Sequence, residues 1–92
     1  MKIIWSVLAQ TDLGRLHDFL ARYDFGVADT ALDGLILAPE QLFDFPRRGT
    51  KLKEFEPREV REFRIEHYVM RYELAGIDLR ILRIFHARED RF

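Results

Sequence analysis

Residues 59 to 74 constrain the fold more than any other stretch. In "EVREFRI" and "YVMRYEL" bulky, β-prone side chains alternate with charged ones, and the two runs flank Glu66-His67. A period of two marks strands with one buried face. A two-residue turn at Glu66-His67 sets Ile65 opposite Tyr68, Phe63 opposite Met70 and Arg61 opposite Tyr72. This register gathers Phe63, Ile65, Tyr68, Met70, Tyr72 and Leu74 on one face and leaves Glu62, Arg64, Val69, Arg71 and Glu73 on the other. A slip by one residue would invert one strand, so the agreement between the two specifies the pairing.

The flanking segments supply what this hairpin packs against. "KIIWSV" (2 to 7) reads as a strand, and Ser6 stands where it would cap a helix from about Leu8 to Tyr23, with Leu13, Leu16, Leu20 and Tyr23 on its apolar stripe. A second helix starts near Phe25, with Asp24 as its cap, and puts Ala28, Ala31, Leu32, Leu35 and Ile36 on one side. Pro39 must kink it or open a separate last turn. "EQLFDF" extends the apolar pattern to Phe43 and Phe45 before "PRRGTK" breaks it. After the hairpin, a turn at residues 75 to 78 leads into "RILRIFHARED", a final strand. In unbroken register Arg83 would face the helices opposite Met70, where a lone charge is costly. A bulge after Gly76 or an acid within reach is then required. The resulting order is β-α-α-β-β-β, an α+β fold in which two N-terminal helices cover one face of a small, largely antiparallel sheet. Trp5 belongs to its core.

Ninety-two residues suit a single domain, 1–92. The absence of cysteine excludes disulfides and thiolate metal sites and fits a reducing cytoplasm. No apolar run is long enough for a membrane span, and no signal-peptide layout is present, so a cytoplasmic protein is expected. His17, His67 and His86 fall in three different elements without zinc spacing, so no metal is expected, and nothing in the sequence calls for a cofactor. Charge is uneven: residues 1 to 46 carry three Lys/Arg against seven acids, and residues 47 to 92 carry twelve against nine. An anionic partner would meet the second half first, although a solvated surface of mixed sign explains the count equally well.

The element order, the opening "WSVLAQTDLGRLHDFL", the bridge "DFPRRGTKLKEF", the run "REVREFRIEHYVMRYEL" and the closing "LRIFHARED" resemble the RelE/ParE superfamily of toxins from bacterial toxin–antitoxin and plasmid-stabilisation modules. The final strand ending in His-x-Arg-x-Asp is the most specific part and is similar to the ParE-like branch. The resemblance implies a growth-inhibiting toxin that a cognate antitoxin wraps and neutralises. It implies contact with operator DNA only through the antitoxin, and leaves room for a homodimer. The target implied for the ParE-like branch is DNA gyrase, poisoned by binding. For the RelE-like branch it is messenger RNA on the ribosome, cut by a general base and cations that stabilise a phosphorane-like transition state. A third outcome is a degenerate relative that binds antitoxin alone.

The candidate catalytic residues of a nuclease are Arg64, His86 and Arg88. The candidate target- or antitoxin-binding set is Lys51, Lys53, Arg64, Arg71, Arg83, His86 and Arg88. Arg64 falls where the nuclease branch has a strand lysine, and Arg88 matches its arginine after the last strand. Glu62 and Val69 stand where that branch has a lysine and an arginine, and no tyrosine follows Arg88 where some members carry one. Each candidate also has a structural reading. Lys51 and Lys53 can be solvated loop charges, and Glu62 and Arg71 a cross-strand pair of about 0.2–1 kcal/mol. His86 can be a hydrogen-bonded, partly buried histidine, and Arg83 and Arg88 can pair with Glu89, Asp90 or a helix acid.

Overall fold

The computed structural model describes residues 1–89. Strand β1 (Lys2–Trp5) leads through Ser6 into helix α1 (Val7–Ala21), followed by α2 (Phe25–Leu37) and a 3-10 turn at Ala38–Leu42. Both expected caps form: the Ser6 hydroxyl accepts from Ala9 N–H, and the Asp24 carboxylate accepts from Val27 N–H. Pro39 opens the separate last turn, where its missing N–H is harmless. Strands β2 (Thr50–Lys51), β3 (Glu59–Ile65), β4 (Tyr68–Ala75) and β5 (Asp78–His86) complete a five-stranded sheet of order β1-β5-β4-β3-β2. It is mixed, because β1 runs parallel to β5 and every other pair is antiparallel. The two-residue β2 was not expected from the sequence.

The hairpin register is the one the alternation dictates, with Ile65 opposite Tyr68, Phe63 opposite Met70 and Glu62 opposite Arg71. Phe63, Met70 and Tyr72 enter one core with Leu16, Leu35, Leu79, Ile81 and Ile84, against which Trp5, Ile65 and Leu74 pack half-buried. Four apolar expectations fail. Tyr23, Phe43 and Phe45 are exposed, because α1 ends at Ala21 and the chain leaves the core after Leu42, and Ile36 is exposed next to the buried Leu35 on α2.

The last strand departs from unbroken register. Tyr72 lies opposite Ile81 but Arg71 lies opposite Arg83, so Leu82 is the extra residue of a bulge. Ile84, not Arg83, therefore sits opposite Met70 and faces the helices fully buried. The expectation that Arg83 points at the helix face opposite Met70 is thus corrected by the bulge, and an acid reaches it as well.

Candidate functional site

That acid is Asp12 of α1, buried on the same stripe as Ala9 and Leu16. It accepts from Arg83 Nε and NH2 at 2.8 and 3.0 Å, from Ile84 N–H at 2.9 Å and from Arg15 at 3.2 Å. Burial opposes its charge, but these hydrogen bonds outweigh that and hold its carboxyl below the ordinary value of 3.8. The location explains the need. Strand β1 ends at Trp5, so beyond Ile81 the outer edge of β5 has no strand beside it. Side chains of α1 replace one: Ser6 Oγ donates to Leu82 O at 2.8 Å, Asp12 takes Ile84 N–H, and Arg15 donates to Ile84 O at 3.2 Å. Arg15 also holds Glu89 at 2.6 Å, and Glu89 accepts from His86 N–H at 2.8 Å. The chain after the sheet is thereby tied to α1.

The sheet face turned away from the helices carries Arg64 and Arg71 beside Arg83. Arg71 pairs with Glu62 at 2.8 Å, and its guanidinium lies 5.3 Å from the Phe55 ring and 5.4 Å from the Phe85 ring. The Arg83 guanidinium lies 4.8 Å from the same Phe85 ring, so rings and guanidiniums alternate across the face. The segment after β2 folds back over this face: Leu52 N–H donates to Val60 O, and Arg58 makes two hydrogen bonds, 2.9 and 3.0 Å, to the buried Glu73. Val60, Val69 and Glu73, which alternation assigns to the polar side, are buried there.

The sequence candidates are therefore not gathered in one place. Arg64 is exposed on this face opposite Val69. Lys51 is exposed too, but it pairs with Arg61 and shares the parity of Tyr72, which puts it on the other side of the sheet from Arg64. Lys53 is exposed in the turn that follows β2. Half-buried His86 closes β5, with Nδ1 3.2 Å from Arg88 N, its ring stacked 6.4 Å from His67 and edge-on to Tyr68. Arg88 is exposed next to it. Asp90 lies outside the described residues. His17 is separate from both other histidines and binds Asp29 at 2.8 Å.

Beside this end of the sheet runs an apolar trough of about 860 Å³ between α2 and the hairpin tip, with Leu20, Val27, Ala31, Leu35, Ile65 and Tyr68 among its walls. Among the described residues, no helix is long and apolar enough to cross a membrane.

The family model for the ParE toxin of type II toxin–antitoxin systems, parDE, matches residues 3–91. The chain belongs to the ParE toxin family. A solved structure of the chromosomal ParDE toxin–antitoxin system from P. aeruginosa contains a similar chain. It is 21% identical, superposes with a TM-score of 0.79 and covers 96% of this chain and 97% of that one. At this identity it establishes the shared fold. No curated protein matches.

Sequence reasoning missed Asp12, Arg15 and Phe55 as members of the site. Asp12 had a readable signal: with Ala9 and Leu16 it stands at the spacing of a buried helical stripe, where an acid requires a partner.

Proposed function

We propose that this ParE-family toxin arrests growth by binding an essential protein, DNA gyrase, and that a cognate antitoxin neutralises it in the cytoplasm. The observation that carries this reading is the commitment of the sheet's cations. A ribonuclease of the RelE type needs cations free to meet charge as it develops on phosphate. Here Arg71 is paired with Glu62 between two rings and Arg83 is paired with Asp12. Arg64, Lys51, Lys53 and Arg88 are exposed, but Lys51 lies on the opposite side from Arg64. Such a set suits recognition by a protein surface better than in-line attack on RNA. The apolar trough and the exposed Phe25 and Val27 beside it suit cover by an antitoxin.

The test is to induce the toxin alone and to map message 5′ ends and plasmid supercoiling in the same culture. Inhibited supercoiling with DNA-damage signalling, and no cuts at ribosome-spaced sites, is the expected result. Cleavage between codon positions with normal supercoiling would overturn the reading in favour of a ribosome-dependent endoribonuclease. In that case Arg64→Ala and Arg88→Ala should each lower the cleavage rate about a hundredfold. Co-expression with the adjacent gene is expected to give a co-purifying complex burying about 2,000 Å² or more.

A further inference from the structure

Arginines at positions 47, 48, 61 and 64 surround the entry to β2, and they are not equivalent. Arg47 and Arg61 share Glu59 at 2.9 and 3.0 Å. Arg48 and Arg64 are exposed, and no described residue makes a hydrogen bond or ion pair with either side chain. Both line one cavity of about 440 Å³. Its walls are held in place. The Tyr72 hydroxyl donates to Pro46 O at 2.7 Å and accepts from Gly49 N–H at 2.9 Å, and Arg61 donates to Gly49 O at 2.8 Å, so Arg48 leaves a backbone fixed on both sides. A Cβ on Gly49 would fall 2.7 Å from Glu62 O, which shows how closely this segment lies against β3. Residues 50 to 52 cover Val60 to Glu62, so Arg64 is the next β3 residue whose backbone turns outward, and no described residue accepts from its N–H. The acid on the cavity wall, Glu62, is paired with Arg71 at 2.8 Å. Two guanidiniums, the outward Arg64 N–H and the exposed Thr50 hydroxyl therefore border a space whose carboxylate is already neutralised.

We propose that this cavity binds phosphate of the duplex DNA backbone, giving the toxin a contact of its own with nucleic acid. Guanidinium forks match phosphate oxygens, and a backbone N–H adds a donor that needs no rearrangement. The donors come from both borders of the cavity, Arg48 and Thr50 from the segment that enters β2 and Arg64 from β3. A tetrahedral phosphate offers oxygens to several such directions, whereas a carboxylate offers two in one plane. The choice of duplex DNA as the source rests on the gyrase reading given above, because that target works on DNA. Contacts to phosphate position a protein without reading sequence. Two of them alone give weak, salt-sensitive binding, so the site anchors the toxin within an assembly that already holds DNA and does not recruit it to bare duplex. The site performs no chemistry on the phosphate.

The probe is a fluorescein-labelled duplex of about 20 base pairs, titrated with the purified toxin and followed by anisotropy between about 10 and 100 mM salt. Two phosphate contacts give a slope of log K against log salt of about −1.8. Arg48→Ala and Arg64→Ala should each bring the slope to about −0.9 and weaken binding about tenfold at the lowest salt. Neither side chain has a partner to lose, so both variants should melt within about 4 °C of the parent. Arg22→Ala removes an exposed cation at the end of α1 and should change neither slope nor affinity. The Arg64 amide resonance should move when duplex is added to the unsubstituted toxin. A slope that survives both arginine substitutions, or no binding of the parent toxin at about 10 mM salt, overturns the proposal. Tighter binding of a polyglutamate peptide than of duplex assigns the cavity to an acidic protein segment and overturns it. Tighter binding of inorganic phosphate, or of single-stranded RNA of the same length, moves the site to another phosphate source and overturns it as well. The assay contains no gyrase, so each of these failures leaves the gyrase reading standing. Normal supercoiling in the induced culture, together with arginine-dependent slopes here, removes the gyrase reading and keeps the DNA site.

Discussion

Asp12→Ala should be among the most damaging single substitutions in this chain. The Asp12 side chain is 3% exposed, and its removal strips four hydrogen bonds at once. The Ile84 N–H would remain at a buried edge with no acceptor, at about 1–3 kcal/mol. Arg83 would keep its charge without its partner. Cutting a buried pair costs about 3–5 kcal/mol, but the Arg83 head is 35% exposed and regains water, so the lower end applies. The Arg15 bond, from a side chain 41% exposed, adds little. Taken at their lower ends these terms add to about 4 kcal/mol, which in a domain of this size lowers the melting temperature by about 16–32 °C. Urea unfolding at pH 7, with the slope m unchanged, measures it directly. Asp18→Ala is the control: that carboxylate, on the same helix, is 86% exposed, and its loss should stay within about 0.5 kcal/mol. A cost below about 1 kcal/mol for Asp12→Ala would refute the reasoning. So would strict additivity with Arg83→Ala in a double-mutant cycle, since directly bonded partners must couple.

Arg83→Ala should destabilise by about 2 kcal/mol and Arg88→Ala by less than about 0.5 kcal/mol, and melting curves giving the reverse order would contradict the bulged register. Tyr72→Phe should cost about 1–3 kcal/mol by the same urea assay, because the buried hydroxyl donates to Pro46 O at 2.7 Å and accepts from Gly49 N–H at 2.9 Å. Gly49→Ala should be at least as harmful, since its Cβ would fall 2.7 Å from Glu62 O and from the Tyr72 hydroxyl. Stability should also fall with acid. Asp12 titrates below its ordinary value because Arg83, Ile84 N–H and Arg15 overcome its burial, and Glu73 below its own chiefly because Arg58 bonds it. For a depressed carboxyl the contribution is complete above the unfolded-state value, near 3.8 for Asp12 and 4.5 for Glu73, and is lost as pH falls through the folded value. Unfolding free energies measured from pH 7 downward should therefore hold level and then decline below about pH 4.5, and Asp12→Asn should flatten the lower part of that decline.

What could be read from the sequence was whatever repeats locally. The hairpin register follows from two strands whose alternation agrees about one turn, and the helix starts follow from Ser6 and Asp24, whose caps involve residues three positions away. What could not be read depends on residues distant along the chain. The bulge at Leu82 is specified by Asp12, 71 residues before Arg83, and by the point at which β1 stops covering β5. Its one local trace is the spacing of the buried Leu79, Ile81 and Ile84, two residues and then three. Arg83 posed the question correctly, but only the fold places its acid.

The same dependence decides how the sheet's second face is read. Counted along the chain, Arg64, Arg71, Arg83 and Arg88 form a basic surface awaiting phosphate. In the fold, Phe55 and Arg58 come over that face from the segment after β2, and Asp12 reaches it around the edge of β5. Arg71 and Arg83 then join aromatic rings and carboxylates across the sheet. A guanidinium committed in this way must break a charge-assisted bond before it can meet an incoming anion, which weakens it for transition-state stabilisation. It still ties the strands and α1 together, while Arg64 and Arg88 stay exposed at the margins of the sheet. In this chain, therefore, the number of arginines on the strands is a poor guide to phosphate chemistry, and the partner of each arginine is the better one.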